Sequence, residues 1–416
     1  MHYYLKIMKK LIPTLLMTAC FTAASATQTI NVNVSNPMDQ SRSDVPVVIQ
    51  LFPYGTVRSA VVMHNGQEIP CQLDDLNQDE TFDELCFLAD LDKMEKKQYT
   101  ITFYETGEPR NYPARVYAEM VMANTKDKKL KKNEQNNYIE SITARGDAAY
   151  TYNLQHHHGV DFESELNGIR IYFDARQTLD LYGKFYKQLE LKETQFYTTD
   201  EQKAKGYGDD VLWVGQTFGL GAFRGWNGKE PTHVEPVRSR TQRIISYGPL
   251  RSIVELVDRG WKADADKAPV NMTIRYTQYA GHRDTDVDVY FNKEVNDYRF
   301  STGIINVKGS EEFSDKQGLR ACWGADYPAA DTLKWKRETV GLAVLVPLAN
   351  IVSEEPANKD NYAYVLQVTD KHMAYKVNYT SANETFGYHS AKDWFAYLKA
   401  WKREVEQPIL VTIQDQ

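Results

Sequence analysis

Short segments in which polar and apolar residues alternate recur along the chain from residue 27 onward. The first places Ile30, Val32 and Val34 on one face and polar residues on the other. Further alternating or apolar segments, with turn residues between them, follow at 47–51, 60–63, 85–88 and 99–103. A period of two is typical of a β-strand with one buried face. The pattern predicts a small β-sandwich over residues 27–112.

A longer series of strand-like segments follows a proline-containing segment at 109–113, which is typical of a linker. Strand-like segments are found at 251–257, 271–276 and 284–291. The last of these places Val287, Val289 and Phe291 on one face. We expect residues 113–416 to form a second, larger β-domain in which sheets pack face to face.

One amphipathic helix is predicted near the end of the chain, at 390–406. Ser390 is a suitable N-cap, with Asp393 three residues later. The apolar stripe consists of Trp394, Phe395, Tyr397, Leu398 and Trp401. The predicted architecture is therefore all-β, with a small N-terminal β-sandwich, a large sheet-on-sheet domain and one C-terminal helix.

The first 26 residues have the features of an export signal rather than of a folded element. Lys9 and Lys10 precede the apolar run 11–21, and Ala24-Ser25-Ala26 fits a cleavage site. We therefore expect a periplasmic or secreted protein cleaved after Ala26. Cys20 as a lipidation site is the less favoured alternative, because Met17 fits that pattern poorly.

Composition narrows the range of partners. The 49 Lys and Arg against 56 Asp and Glu give a net charge of −7, and the charges are interspersed, which argues against a nucleic-acid partner. No later stretch has the 18 apolar residues of a membrane span. The 27 tyrosines outnumber the 16 phenylalanines, which suits strands and wet, sugar-binding clefts. A monomer that binds an oligosaccharide or polysaccharide is expected.

Three cysteines remain after removal of the signal. Cys71 and Cys86 flank an acidic loop, where they either form a disulfide or serve as small apolar core residues, and the second alternative is favoured. The third is Cys322. Since the chain has no CxxC pair and no zinc-finger spacing, a structural zinc site is not expected.

The acidic loop itself resembles a calcium-binding loop in its spacing. Oxygen-bearing side chains fall at alternate positions, namely Asp75, Asn77, Asp79, Thr81 and Asp83. A tight turn can aim such oxygens at one Ca²⁺ ion. However, Glu80 stands where glycine is usual, and Cys86 replaces the closing glutamate. A structural calcium ion is therefore one interpretation and a surface loop of Asx-turns the other. No other cofactor is expected.

A cluster of ionisable residues lies in the middle of the chain. Its members are His156, His157, His158, Glu163, Glu165, Arg170 and Tyr172. In a strand, residues two apart share a face, which would pair Glu163 with Glu165 and Arg170 with Tyr172. The cluster offers a base near neutral pH, a carboxylate, a phenol and a guanidinium for a sugar acid. A polar loop that enters a packed strand is the equally weighted alternative.

The glycine-rich segment 206–226 contributes further candidates for a substrate site. Asp210 and Arg224 are expected to join the histidine cluster on one concave surface. Trp226, beside an Asn-Gly turn, is expected to be exposed, and Trp213 to belong to the core. The segment is not a phosphate-binding loop, because its glycines open no predicted helix.

Four stretches together resemble a bacterial family known as domain of unknown function 4861. They are 74–88, 157–174, 180–184 and 208–226. The segments around 247–251 and 279–286 also resemble the supersandwich of galactose-mutarotase-like proteins and many polysaccharide lyases. The resemblance implies an exported, Bacteroides-type protein of a polysaccharide-utilisation system, often one for pectin or other uronate-rich glycans. A shared fold does not by itself define the activity.

Three functions remain open on these grounds. The first is a lyase or hydrolase acting on uronate-containing, pectin-like oligosaccharides. A lyase would use His157, His158 or Tyr172 as base and Arg170 to neutralise the carboxylate, whereas a hydrolase would use the carboxyl pair Glu163 and Glu165. The second is a mutarotase-like sugar isomerase. The third is a non-catalytic glycan-binding protein in which aromatic residues stack on sugar rings. These are Tyr182, Trp226 and Trp323.

Overall fold

The computed structural model describes residues 26–415 except 125, 127–128, 132, 147–152, 330 and 334. The predicted signal segment up to Ser25, including Cys20, lies outside the described residues. In the part that is described, no helix is both long and apolar enough to cross a membrane.

The N-terminal region is a two-layer β-sandwich. Its strands are β1 (Ala26–Ser35), β2 (Arg42–Gln50), β3 (Ser59–His64), β4 (Gln67–Ile69), β5 (Cys71–Asp74), β6 (Glu84–Leu91) and β7 (Lys96–Tyr104). One sheet contains β1, β7, β3 and β4 in that order, and the other contains β2, β6 and β5. Val32, Ile101 and Phe87 are fully buried between the two layers. The alternation of apolar and polar residues that predicted these strands corresponds to the alternation of buried and exposed side chains in the structure.

The next region supplies two small sheets. Its strands are β8 (Val116–Glu119), β9 (Val121–Met122), β10 (Asn137–Tyr138), β11 (Ser141–Arg145), β12 (Gly159–Ser164), β13 (Gly168–Tyr172), β14 (Leu179–Gly183), β15 (Asp209–Asp210), β16 (Arg224–Trp226) and β17 (Pro231–Thr232). Two short helices, α1 (Leu191–Thr194) and α2 (Asp200–Ala204), lie between β14 and β15. Strands β8, β12, β13, β14 and β15 pair in this order, and we call them the site sheet.

The remaining residues complete the large domain. The elements are β18 (Ser239–Tyr247), β19 (Arg251–Trp261), β20 (Val270–Tyr279), β21 (Asp284–Phe291), β22 (Phe300–Ile305), β23 (Glu311–Ser314), β24 (Leu319–Asp326), β25 (Glu338–Leu345), β26 (Ile351–Glu354), β27 (Asn361–Leu366), β28 (His372–Ser381), α3 (Ala391–Glu406) and β29 (Leu410–Asp415). A nine-stranded sheet runs in the order β11, β18, β19, β20, β21, β28, β25, β24, β23. A further five-stranded sheet has the order β17, β16, β22, β27, β26.

The nine-stranded sheet packs against both five-stranded sheets around one continuous core. Tyr276 and Val287 from the large sheet are fully buried in the same cluster as Phe162 and Ile171 from the site sheet and Ile304 from the other. Because both faces of this interface are apolar, the opposite face of each sheet is free to carry polar groups. The predicted all-β supersandwich is confirmed.

The C-terminal helix is also confirmed. The Ser390 hydroxyl accepts a hydrogen bond from the Asp393 amide at 3.2 Å, as an N-cap should. Trp394, Leu398 and Trp401 are buried against residues of the large sheet.

The predicted domain boundary differs from the structure at the end of the chain. Residues 410–415 fall in the second region by sequence, but β29 pairs antiparallel with β1 at the edge of the N-terminal sandwich, with Val32 opposite Ile413. Three of the cysteines, Cys71, Cys86 and Cys322, are free and buried, which matches the core alternative for the first two.

Candidate functional site

The outer face of the site sheet carries a row of charged side chains. In the strand register Glu119 lies opposite Asp161, Asp161 opposite Arg170, and Arg170 opposite Asp180. The residues on either side in the sequence, such as Ile171, point into the core. Period-two alternation therefore places one charge of each strand in a line across the sheet.

The segment between β14 and β15 covers part of this face and leaves a cleft of about 700 Å³. Ionisable groups in the cleft wall are His158, Arg170, Tyr172, Arg176, Asp180, Tyr197, Asp200, Lys203, Asp209 and Asp210. Phe196, Trp213 and Trp335 add aromatic surface. Concave sites with aromatic walls and a few convergent polar groups are typical of ligand-binding sites.

Arg170 is the centre of a hydrogen-bond network at the bottom of the cleft. One terminal nitrogen of its guanidinium donates to the Tyr172 hydroxyl at 2.8 Å, to Asp180 and, at 3.3 Å, to Asp210. The Tyr172 hydroxyl in turn donates to Asp180 Oδ2 at 2.8 Å. The guanidinium also lies over the ring of Phe196, 4.1 Å from its centroid. Two carboxyl groups and a phenol thus meet at one cation.

Burial and neighbouring charges shift the pKa values of two groups in this network. Burial, with the neighbouring charge of Asp180, raises the pKa of Asp210 well above its usual value, despite the opposing effect of Arg170. Burial likewise raises the pKa of the Tyr172 phenol well above its usual value. The side chain of Asp210 is 20% exposed, whereas that of Asp180 is 1% exposed. Asp210 is thus the carboxyl group of the pair that a ligand can reach.

The upper wall of the cleft combines cations with aromatic rings. The Arg176 guanidinium pairs with Asp174 at 2.5 Å and lies 4.9 Å from the centroid of the Tyr172 ring. Lys203 pairs with Asp209 at 2.5 Å and lies over the Trp335 ring. The site therefore offers a second guanidinium and an ammonium group near the accessible surface.

The two neighbouring histidines occupy different environments. His158 lines the cleft and stacks loosely on Tyr172, with 6.4 Å between ring centroids. His157 is fully buried, with Nε2 3.7 Å from Glu119 Oε1 and 3.6 Å from Asp161 Oδ2. Burial and the charge of Glu119 raise the pKa of Asp161 well above its usual value. The predicted convergence therefore includes His158 but not His157.

Neither predicted glutamate reaches the cleft. Glu163 is fully buried and accepts hydrogen bonds from the Lys184 ammonium at 2.5 Å and from the backbone amides of Glu190 and Leu191. Glu165 pairs with Arg115 at 2.5 Å. Because Glu163 has a complete set of donors in the core, its environment is that of a structural ion pair rather than of a catalytic acid.

Four predicted substrate-binding residues also lie outside the cleft wall. Arg224 is buried, donates to backbone carbonyls such as that of Gln216 at 2.8 Å, and has its pKa lowered by burial to about 9. The Tyr182 hydroxyl is buried and donates to the carbonyl of Gly208. Trp226 is half-buried on β16. Trp323 packs beside α3.

The acidic loop uses its side-chain oxygens on its own backbone. Asp75 accepts hydrogen bonds from the amides of Gln78, Asp79 and Glu80 at 2.7–3.2 Å, and Asp83 accepts from the Leu76 amide at 2.7 Å. These are the Asx-turn contacts of the alternative interpretation. The calcium site stays a prediction, to be decided by whether calcium raises the melting temperature of the native chain but not of Asp79→Ala.

A second cleft, of about 560 Å³, lies between the N-terminal sandwich, β21 and α3. Its ionisable groups pair with one another. Lys376 contacts both Asp284 and Asp286. His282 contacts Asp284 through Nδ1 at 3.2 Å and donates from Nε2 to the backbone carbonyl oxygen of Asp44 at 2.8 Å. The pKa of Asp284 is accordingly far below its usual value. We regard this network as structural and the site-sheet cleft as the functional candidate.

Sequence reasoning missed Asp180, Arg176 and Trp213 as cleft residues. Asp180 alternates with Leu179 and Leu181, so its position between two apolar residues was the available signal. Trp213, expected in the core, is 55% exposed at the cleft. Asp209 offered no such signal, because β15 has only two residues.

Together, the fold and the cleft describe a β-supersandwich protein with an ionisable, aromatic-walled site on one small sheet. The chain matches the family described as domain of unknown function (DUF4861) over residues 34–411, nearly its whole length. The chain therefore belongs to this family. The comparison with curated proteins finds no match.

Two similar solved structures come from Enterococcus faecalis. One is a protein in glycosyl hydrolase family 38, with 10% sequence identity, a TM-score of 0.48 and coverage of 94% of this chain and 48% of that one. The other is an alpha-mannosidase, with 10% identity, a TM-score of 0.46 and coverage of 94% and 47%. The chain thus spans about half the length of these structures.

Proposed function

We propose that this protein is an exported carbohydrate-active enzyme that cleaves uronate-containing, pectin-like oligosaccharides in the site-sheet cleft by β-elimination. The observation that carries the proposal is the convergence of Arg170, Tyr172, Asp180 and Asp210. Elimination beside a carboxylate needs a cation, a proton acceptor and a proton donor, and this group of residues supplies all three. Export rests on the signal features of residues 1–26.

In this mechanism Tyr172 and Asp180 remove the proton next to the uronate carboxyl group. The phenol passes its own proton to Asp180, 2.8 Å away, as it takes the C5 proton of the sugar. The electron pair of the C5–H bond forms the C4–C5 double bond, and the C4–O bond breaks. The departing oxygen takes a proton from Asp210, because burial and the charge of Asp180 raise the pKa of this carboxyl group well above its usual value and so favour its acid form.

The wall of the cleft supports an acidic sugar as the substrate. Arg176 and Lys203 add positive charge above Arg170, and a guanidinium matches a carboxylate in a planar, bidentate geometry. Trp213, which is 55% exposed, and Trp335 provide flat apolar surfaces on which a sugar ring can stack.

Hydrolysis is the second candidate, because two carboxyl groups, Asp180 and Asp210, share the cleft. A hydrolase uses one as acid and the other as base or nucleophile. Asp180 is 1% exposed and already accepts from Tyr172 and Arg170, which favours a supporting role for it over direct attack.

Incubation of the purified protein with pectic oligosaccharides tests the proposal. New ultraviolet absorbance together with new reducing ends is expected. Reducing ends without the absorbance would show a hydrolase, interconversion of sugar anomers a mutarotase, and retention without turnover a binding protein. Each of these outcomes would overturn elimination.

Variants then assign the roles. We expect Tyr172→Phe and Asp210→Asn each to reduce turnover about 10²-fold or more, the usual contribution of a positioned acid or base. Arg176→Ala should weaken binding of acidic oligosaccharides more than of neutral ones. Tyr290→Phe, on the exposed face of the large sheet, is the matched control and should keep full activity.

A further inference from the structure

Beside the cleft, on the same face of the site sheet, three ligand-type side chains converge at a closed site. Glu119 comes from the end of β8, Asp161 from the middle of β12, and His157 from the turn that precedes β12. Their exposed fractions are 2%, 0% and 0%. One oxygen of each carboxylate and one nitrogen of the imidazole all lie within 4.8 Å of one another. Among the described residues, this is the one such group of three or more His, Cys, Asp or Glu side chains.

The hydrogen-bonding capacity of this group is largely unused. Within the described part of the chain, Glu119 Oε1, both ring nitrogens of His157 and both carboxylate oxygens of Asp161 have no hydrogen-bond partner. The amide oxygen and nitrogen of Gln155, which is 1% exposed, have none either. Buried polar atoms are almost always paired, because leaving them unpaired costs free energy.

Glu163, two residues after Asp161 on the same face of β12, shows what a satisfied buried carboxylate looks like here. It accepts from the Lys184 ammonium and from two backbone amides. Among the residues described, Glu119 and Asp161 form ion pairs with His157 alone and none with a lysine or arginine, although Arg170 lies on the neighbouring strand opposite Asp161. A cation is the partner that this pair of carboxylates still requires.

The separations suit a small divalent ion. His157 Nε2 lies 3.7 Å from the Glu119 oxygen and 3.6 Å from the Asp161 oxygen. A tetrahedral ion with bonds of about 2.0–2.2 Å places its ligand atoms about 3.3–3.6 Å apart. An imidazole with two carboxylates favours zinc and related first-row metals, since calcium and magnesium prefer oxygen ligands alone.

We propose that Glu119, His157 and Asp161 bind one divalent transition-metal ion of the zinc type. Coordination requires ionised carboxylates and a neutral imidazole, so any protons on these groups are released when the ion binds. Because the three ligands are buried and none of them lines the cleft, the role of the ion is structural, and a water molecule or a further protein atom completes its coordination. The ion links the turn at 155–158 to two strands of the site sheet.

The position of this site ties it to the cleft. His158, the residue after the metal ligand, lines the cleft, and Asp161 is the register partner of Arg170. The ion would neutralise the carboxylates on one side of Arg170 and fix the turn that carries His158. The inference does not depend on the substrate proposed above.

The test measures metal content and its effect on the intact protein. The chain is purified without an affinity metal, dialysed against a chelator, and titrated separately with zinc, manganese and calcium. We expect elemental analysis to find one zinc or related ion per chain and the melting temperature to rise by several degrees with zinc. A calcium-only response, or no bound metal and no shift with any ion, would overturn the proposal and leave ordered water as the partner.

Variants locate the ion. His157→Gln and Asp161→Asn should each abolish stoichiometric binding and the zinc-dependent rise in melting temperature. His282→Gln is the matched control, since His282 also contacts a carboxylate, Asp284, but has protein partners at both ring nitrogens. It should retain the ion. Binding that persists in both cluster variants would place the metal elsewhere. The metal titration of the native chain decides the matter if these variants do not fold.

Discussion

At the scale of single residues, the carboxyl group occurs in three different environments on one face of the site sheet. Glu163 is held by a buried lysine and two backbone amides. Asp161 faces a histidine and another carboxylate. Asp210 lies at an accessible edge with a guanidinium 3.3 Å away. Burial and partners, rather than residue type, therefore separate the structural carboxylate Glu163 from the proposed metal ligand Asp161 and the proposed acid Asp210.

Replacement of Asp210 by asparagine separates the function of this residue from its structural role. Because the folded-state pKa of Asp210 is raised, ionisation of the carboxyl group opposes folding, and its contribution to stability declines as pH rises from about 4 through the folded-state value. Asparagine does not ionise. Asp210→Asn should therefore lose activity while its melting temperature, relative to the native chain, improves with increasing pH. Thermal melts from pH 4 to 8 check this, and a uniform loss of stability at every pH would contradict it.

At the scale of elements, a two-residue strand positions the proposed acid. Strand β15 pairs with β14, with Tyr182 opposite Asp210. The preceding residue, Gly208, approaches β14 so closely that an added Cβ would lie 1.8 Å from the carbonyl oxygen of Gly183. Glycine is required here because of contact and not because of its backbone angle.

We expect Gly208→Ala to displace β15 from β14 and to reduce both stability and activity. Gly228→Ala is the matched control, since a Cβ there meets nothing within 4 Å and carries only the cost of its positive φ of 94°. That cost is about 1–2 kcal/mol. Urea unfolding and turnover of the two variants provide the comparison. Equal losses in both would show that close contact at Gly208 is unimportant.

Sequence reasoning predicted elements better than side-chain partners. The alternation at 284–291 coincides with β21, and Ser390 caps α3 as expected. Alternation shows which residues share a face, and it correctly grouped Arg170 with Tyr172. It does not show what covers that face. The sequence therefore could not distinguish Glu163, which pairs with Lys184 in the core, from Asp180, which lines the cleft. Packing between distant segments decides both environments.

The histidine cluster illustrates the same limit. Neighbouring residues His157 and His158 point to opposite sides of a turn, one toward Glu119 and the other into the cleft. Glu119 and Asp161 are far apart in sequence and have no metal-binding spacing, so only strand pairing brings them together. For that reason the sequence argued against a structural transition-metal site.

At the scale of the whole molecule, buried polar contacts join the N-terminal sandwich to the large domain. Arg251, on β19, is 3% exposed and pairs with Asp74 and Glu84 at 2.7 Å. On the other side, Arg115 pairs with Asp44. Because such pairs depend on geometry, they fix the orientation of the two units more than they add to stability.

The C-terminal strand adds a backbone connection between the same units. Removal of residues 410–416 should leave β1 as an unpaired edge, lower the melting temperature and promote self-association. Ile413→Thr is the control, since this side chain is 44% exposed and the strand pairing is kept. Calorimetry and size-exclusion chromatography provide the measurement. A truncated chain that melts like the native one and stays dispersed would contradict the expectation.

The pairing of β1 with β29 also constrains the order in which the protein can fold. Strand β1 is among the first described residues to be synthesised, and its partner is among the last. A contact across almost the whole chain carries a large loop-closure cost and slows folding. The edge of the N-terminal sandwich at β1 therefore cannot be completed until the C-terminal residues that form β29 are available. For an exported protein, this delay would favour transport of the chain before its first domain is complete.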